Sequence, residues 1–386
     1  MEKITFVIPS RNNLEFLKLA YESIRNLETE HEVLVLDDAS TDGTKEWICE
    51  VNDPNLFSYI NKGPERIGIV GMFDKGIEMA STDIIMAFHA DMVAAPKLDE
   101  NILKHLTRGT VVSATRVEPP LHPPGPEKIT HQLGTEIEQF SMEEWKEWST
   151  GAIETAEKIT EGIFAPWCMY KKDFEAIGGH DALFAPQSRE DSDLFNRFQL
   201  AGYKFIQPWN ALVYHFTSRG SRFNKHAGGD TMVDSPEWQR TNSKNMRNFV
   251  RKWGTQVQHD HYMKPIITPK YDIGLIVNNC GINDIGVLEP WCSTLYTDGD
   301  IAAYIDAEQP NTNINLLDKI KPYDSEKNNN ILIKFDASLL NNERFGFITK
   351  LPHIITDSGS IGSSEYDIFI IDIINMKNYQ EDLINA

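Results

Sequence analysis

Cysteine is scarce in this chain, with Cys49, Cys168, Cys280 and Cys292 its only four among 386 residues. None falls in a CxxC or other ligand spacing, so reduced thiols are expected rather than a disulfide framework or a thiolate metal site. Long apolar runs are missing as well. The longest, such as "DIFIID" near residue 370, are strand-sized, and none is long enough to span a bilayer. The N-terminus "MEKITFVIPS" lacks an extended apolar core and reads as a strand instead of a signal peptide, which makes a cytoplasmic location the expectation. Basic residues are outnumbered 37 to 57, leaving a formal net charge of −20. That balance disfavours loose electrostatic binding to nucleic acid or anionic membrane, and it means that an anionic substrate needs locally placed cations or a metal. No repeat with a period of about 20–50 residues is present, which excludes a solenoid.

What is present is an alternation of strands and helices. "KITFVIP" reads as a buried strand. Asn12 or Asn13 is placed to cap a helix whose Leu14, Leu17, Tyr21, Ile24 and Leu27 share one face. "HEVLVLDD" is the next strand, so the unit predicts a parallel pair with a right-handed crossover. "TKEWICEV", "GMFDKGIEMA" and "KLDENILKHL" continue as helices. "FSYIN", "DIIMAF" and "TVVSATRV" continue as strands. The near-continuous apolar strands predict an α/β fold with a mostly parallel central sheet.

The proline-rich "EPPLHPPGPEK" (118–128) excludes regular structure. "SMEEWKEWST" follows as part of a loop-and-helix excursion over the sheet edge. "GIFAPWCMYKKDFEAIGG" reads as a strand and a helix stopped by Gly178 and Gly179. A helix starting near Glu190 and the strands "YKFIQ" and "ALVYH" complete a first domain over residues 1–253. Residues 254–270 read as a linker. Residues 271–386, with the strands "DIGLIVNN", "NILIKFD" and "YDIFIID", read as a second, smaller α/β domain of open role, through which the chain could form oligomers. The polar stretch 306–330 within it is expected to be mobile.

In open α/β sheets, ligands bind beyond the carboxyl ends of the strands. Pro9–Arg11, Asp37–Asp38, Asp91 and His215 all fall at such ends, which predicts one shared rim. Adjacent carboxylates are costly to bury without a task, and the rim supplies one. Asp and Ser at a strand-to-helix turn also serve as caps, and that reading stays open for Asp37, Asp38, Ser40, Thr41, Asp42 and Thr44.

Together, "FVIPSRN", "VLVLDDASTDGT", "FHADM" and "REDSDLFNRFQLAGYK", in that order, resemble the family 2 glycosyltransferases of the GT-A fold. The resemblance covers roughly residues 1–220. It implies metal-dependent transfer of a sugar from a nucleotide-diphosphate donor, with a UDP-sugar the expected choice, to a hydroxyl acceptor such as a glycan, with inversion. In this family's pattern Asp38 matches the carboxylate that meets the nucleobase, with Asp37 beside it. Pro9, Arg11, Arg66, His89, Ala90 and Asp91 complete the implied donor site. Asp91 matches the last Asp of the "DxD" motif and is implied as a ligand for Mn²⁺ or Mg²⁺, with His215 as a second ligand. His89 stands where the family usually has Asp; it can donate a hydrogen bond or ligate Mn²⁺. Glu190 and Asp191 match the family's "ED" pair, which implies Asp191 as the general base; acids there also complement the helix dipole.

Further expectations are weaker in pattern. Arg189 could contact donor or acceptor, and Asp193 with Arg197 could form an i,i+4 pair. Arg219, Arg222 and Lys225 lie in a glycine-containing loop that could close over a diphosphate. Trp145, Trp148, Trp167 and Trp209 could stack on sugar faces, Trp167 foremost, although most tryptophans pack in cores. His259 and His261 read as solvated. Three other readings stay in view. A nucleotidyltransferase would need a glycine-rich loop with a lysine after the first strand, which "IPSRNN" lacks. A binding module without catalysis, and sugar transfer onto modified DNA bases, are the others.

Overall fold

A computed structural model describes residues 2–217, 221–223, 229–230 and 233–386. The chain divides into two units. One comprises residues up to Thr241 with His259–Pro265 and Ala386; the other comprises Asn242–Gln258 and Ile266–Asn385. The division falls inside the helix Pro236–Trp253, before the stretch read as a linker. The reason is Arg251: its fully buried guanidinium reaches Glu289 and Glu308, each at 2.7 Å, and so ties the end of this helix to the second unit.

In the first unit the strands β1 (Ile4–Ser10), β2 (Glu32–Asp38), β3 (Leu56–Asn61) and β4 (Ile84–Ala87) are mutually parallel. Both faces of β1 and β2 are buried, which matches their unbroken apolar sequence. Three further strands of this unit, β5 (Met92–Ala94), β6 (Thr110–Ser113) and β7 (Thr115–Glu118), include two that the sequence reads as one. "TVVSATRV" breaks at Ala114. The Ala114 N–H donates to Pro166 (3.0 Å), whereas that of Thr115 donates to Ala211 (2.7 Å), so the chain leaves one sheet and joins another. The remaining strands are β8 (Ile129–Thr130), β9 (Ile159–Thr160), β10 (Trp167–Tyr170), β11 (Lys204–Pro208) and β12 (Leu212–His215).

The main sheet has the order β3-β2-β1-β4-β10-β6-β11-β9, with β10 antiparallel to both neighbours. A second sheet has the order β5-β12-β7-β8. The excursion does more than cross an edge. Its helix Met142–Thr155 covers the second sheet, with Trp145 buried against Leu212 and Tyr214 and donating Nε1–H to the Ala94 carbonyl at 3.1 Å. Neither Asn12 nor Asn13 caps the first helix through its own side chain. Asp42 does so from across the turn, taking the Leu14 N–H at 2.9 Å and the Thr44 N–H at 3.2 Å, so one carboxylate serves two helix starts.

The second unit is a six-stranded sheet of β13 (Ile273–Asn278), β14 (Thr294–Thr297), β15 (Ile320–Pro322), β16 (Ile331–Asp336), β17 (Gly362–Tyr366) and β18 (Phe369–Ile373). Its order is β15-β14-β13-β16-β18-β17, with the first four parallel and a terminal hairpin antiparallel. The polar stretch 306–330, expected to be mobile, instead contains a short helix and β15. Leu316 and Ile320 are buried there, Lys319 meets Glu289 at 2.6 Å, and buried Asn329 accepts the Tyr296 hydroxyl at 2.9 Å. Few apolar anchors sufficed because the polar side chains have partners inside.

Candidate active site

Strand register builds the centre of the site. β12 runs antiparallel to β5, pairing His215 with Met92, and the Phe216 N–H donates to the Asp91 carbonyl at 3.1 Å. Asp91 and His215 are thereby neighbours, with Nε2 of His215 3.5 Å from Oδ2 of Asp91. His89 completes the group: one ligand atom from each of His89, Asp91 and His215 lies within 4.8 Å of the others. Donors bound at about 2.1 Å to one cation stand about 3 Å apart when adjacent and about 4 Å when opposite. Two imidazoles and a carboxylate are also a donor set suited to a transition-metal dication.

The charges favour a cation at this point. Burial alone would depress the basicity of His215, but Asp91 and Glu118 raise its pKa to about 9. Burial alone would raise Asp91; His215 and His89 instead hold it below the usual carboxylate range. Burial depresses His89, against the pull of Asp91, so its ring is neutral and offers a lone pair. The carboxylates facing His215 thus favour positive charge here, and the residues present fit a divalent ion.

Asp191 lies close enough for its charge to act on His89. It sits in the first turn of the helix Glu190–Leu200, whose N-terminal approach is unusual: Ser188 and Arg189 both adopt positive φ, 77° and 72°. The adjacent Glu190 differs from it. Burial, and then the Asp191 charge, push the Glu190 pKa up to about 8, and its buried Oε2 has no hydrogen-bond partner among the described residues. Asp193 and Arg197 do pair, at 2.7 Å and fully buried, and Arg197 also donates to the carbonyls of Ile177 (2.9 Å) and Gly179 (2.6 Å).

On the other side of β1 the structure gives Asp38 a definite task. Its Oδ1 accepts from Asn61 Nδ2 (2.9 Å) and the Ile67 N–H (2.8 Å), and its Oδ2 accepts from the Gly68 N–H (2.8 Å). It holds the loop 61–68 that carries Arg66. Asp37, also buried, accepts from the Ser40 N–H at 3.1 Å. Arg66 meets Glu237 at 3.4 Å, burial lowers its pKa, and its Nη2 is buried without a hydrogen-bond partner. Pro9 is in β1 and Arg11 follows it, exposed at the rim; Ala90 is buried between His89 and Asp91.

Among the described residues, six buried side-chain polar atoms lack a hydrogen-bond partner, Lys319 Nζ among them despite its ion pair with Glu289. Four of them, in Ser10, Arg66, Arg116 and Glu190, belong to this rim and its surroundings. Ser10 entered the sequence reading only within the strand end Pro9–Arg11, and Arg116 was not singled out. Neither was Glu118, whose Oε1 lies 2.9 Å from Nδ1 of His215. The signal was available: "TRVE" is a strand ending on a carboxylate, the feature that marked Asp37, Asp38 and Asp91.

Other residues that the sequence offered have partners within the protein. Trp167 is a core residue, 1% exposed between Phe174 and Phe198, and cannot stack on a sugar; Trp145 is fully buried. Trp148 stacks on His131, and Trp209 lies under the Lys158 ammonium at 3.7 Å. Arg222 pairs with Asp234 at 2.5 Å. Arg219 and Lys225 lie outside the described residues.

The family model described as glycosyl transferase family 2 matches residues 5–178. Those residues form a glycosyl transferase family 2 domain. It spans β1 to the Gly178 turn and includes Asp37, Asp38, His89, Asp91 and Glu118, while Asp191 and His215 lie beyond it. Its mixed, mostly parallel sheet agrees with the GT-A architecture expected from sequence. Curated relatives of this domain include poly-beta-1,6-N-acetyl-D-glucosamine synthase of Staphylococcus aureus (strain COL). That protein is 29% identical over 94 residues, which are 24% of this chain and 23% of the relative. Undecaprenyl-phosphate mannosyltransferase of Micrococcus luteus is 27% identical over 121 residues, 30% of this chain and 49% of the relative. The chain thus spans under half the length of either. Among solved structures, GalNAc-T7 with UDP, GalNAc and Mn²⁺ aligns with a TM-score of 0.43 at 13% identity, covering 56% of this chain and 44% of that one. Mannosyltransferase PcManGT from Pyrobaculum calidifontis, with GDP-Man and Mn²⁺, aligns at 0.41 and 17% identity, covering 64% and 62%.

Proposed function

We propose that the protein is a metal-dependent glycosyltransferase that moves a sugar from a nucleotide-diphosphate donor, a UDP-sugar in our reading, to a hydroxyl of a glycan acceptor with inversion. The observation that carries this reading is the convergence of His89, Asp91 and His215 within 4.8 Å, with Asp191 close by. The family match and the unpartnered polar atoms along the rim support it.

His89, Asp91 and His215 would hold a divalent ion, Mn²⁺ or Mg²⁺, with the two imidazoles favouring Mn²⁺. Such an ion, when bound, offsets the charge that grows on a leaving diphosphate. The nucleoside lies over the ends of β1 and β2, bounded by Pro9, Arg11 and the Asp37–Asp38 turn. Asp38 acts there by holding the 61–68 loop, and the free Nη2 of Arg66 meets the nucleotide. Asp191 takes the proton from the acceptor hydroxyl as that oxygen forms its bond to the anomeric carbon. The bond to the diphosphate breaks on the opposite face, so configuration inverts. Glu190, neutral below its raised pKa, donates a hydrogen bond and leaves the base role to its neighbour.

The test is a melting-temperature screen of UDP- and GDP-sugars with and without Mn²⁺. A donor should raise the transition only with the metal, by mass action on the folded state. The absence of a shift for every sugar nucleotide contradicts the reading.

A further inference from the structure

We propose that Glu118 is a positioning residue that fixes the His215 ring so that Nε2 is the nitrogen presented beside Asp91. The proposal rests on the reading of His89, Asp91 and His215 as a cation site, and it adds a residue that neither the motifs nor that reading assigns.

Glu118 ends β7 and is buried. β7 runs parallel to β12 with Val117 opposite Tyr214, so the ladder itself sets Glu118 next to His215. Oε1 of Glu118 lies 2.9 Å from Nδ1 of His215. An ionised carboxylate only accepts, so Nδ1 carries the proton and donates. The free lone pair of the neutral ring is then on Nε2, the nitrogen that faces Asp91 at 3.5 Å. Without Glu118 the ring could rotate or adopt the other tautomer, and either change withdraws the donor.

Glu118 is itself held from behind. Lys128 donates to its Oε2 at 2.8 Å, and Arg116 stands 3.3 Å from Oε1 while lying over the Phe164 ring at 4.2 Å. Lys128 closes the proline-rich segment 118–128, just before β8. These two cations neutralise Glu118, and its oxygens are engaged on the Nδ1 side of the ring. It therefore orients a ligand and does not compete to be one. Carboxylates behind metal-bound histidines commonly account for about 10–100-fold in metal affinity.

The experiment is a titration of the whole chain with Mn²⁺, following free Mn²⁺ by electron paramagnetic resonance, on wild type, Glu118→Ala and Glu118→Gln, with the melting temperature of each metal-free protein. Loss of about 10–100-fold in affinity for Glu118→Ala, with a smaller loss for Glu118→Gln, whose amide oxygen still accepts from Nδ1, supports the assignment. If Glu118→Ala does not fold, Glu118→Asp keeps the charge for Lys128 but retracts the carboxylate from Nδ1, and the same loss is expected. Affinity within about twofold of wild type in a folded Ala or Asp variant overturns the assignment. Failure of the wild type to take up Mn²⁺ overturns the cation reading itself, which separates the two failures.

Discussion

Gly68 donates its backbone N–H to Oδ2 of Asp38 at 2.8 Å from a backbone conformation, φ 90° and ψ 169°, that is essentially reserved for glycine. A Cβ built at this position would lie 2.3 Å from Cβ of Pro186. The loop bearing Arg66 is therefore pinned by a carboxylate on one side and by steric closeness on the other. We expect Gly68→Ala to destabilise the first unit by about 1–3 kcal/mol through backbone strain and the clash. Nucleotide affinity should fall with it, because Arg66 loses its placement. Calorimetric unfolding together with nucleotide titration of the surviving fold checks both.

Arg197 is fully buried and bonded to Asp193 and to two carbonyls of the Ile177–Gly179 turn. This joins the helix bearing Glu190 and Asp191 to the turn ahead of it. Arg197→Ala leaves Asp193 charged and buried, and the expected loss is about 3–5 kcal/mol. The double substitution Arg197→Met with Asp193→Leu should recover most of that loss. Chemical denaturation of the single and double variants decides the point.

Glu190 should give the stability curve a recognisable slope. Its carboxyl moves from an ordinary 4.5 to about 8 on folding, by burial and then by the Asp191 charge. Between those values the folded chain keeps a proton that the unfolded chain releases, so stability falls as pH rises from 4.5 to 8 and is flat on either side. Glu190→Gln removes the titration. The stability difference, variant minus wild type, should grow in favour of the variant across that window, by on the order of a few kcal/mol. Unfolding at pH 5, 7 and 9 measures it; a constant difference contradicts it.

Asp191→Asn keeps shape and removes the proton acceptor. Transfer should fall by about 10²–10⁴-fold, while donor binding with Mn²⁺ stays at the wild-type level. Initial rates and a donor titration on the same preparation separate the two. Wild-type transfer in the variant contradicts the base assignment.

Much of this was legible in sequence because strand-end chemistry is local. An apolar strand followed by "DDASTDGT" or "FHADM" places its carboxylates by periodicity alone. Asp91 with His215 was reached only through the family resemblance: the pairing needs the antiparallel β5–β12 register, which neither segment specifies by itself. The break at Ala114 escaped for the same reason: "TVVSATRV" has one period throughout, and only its hydrogen-bond partners reveal two sheets. Trp167 misled because aromatic content does not distinguish a stacking platform from core. The order of 306–330 was hidden because buried partners such as Asn329 and Lys319 carry it, where composition registers only polarity.

The most direct measurement is calorimetric titration of a nucleoside diphosphate, UDP and GDP in turn, into the metal-free chain and into the chain with saturating Mn²⁺, in wild type and Asp91→Ala. We expect binding of one nucleotide per chain that requires Mn²⁺ and disappears in Asp91→Ala. Binding that is equally tight without metal, or that survives Asp91→Ala unchanged, would contradict a cation held by His89, Asp91 and His215 as the grip on the donor.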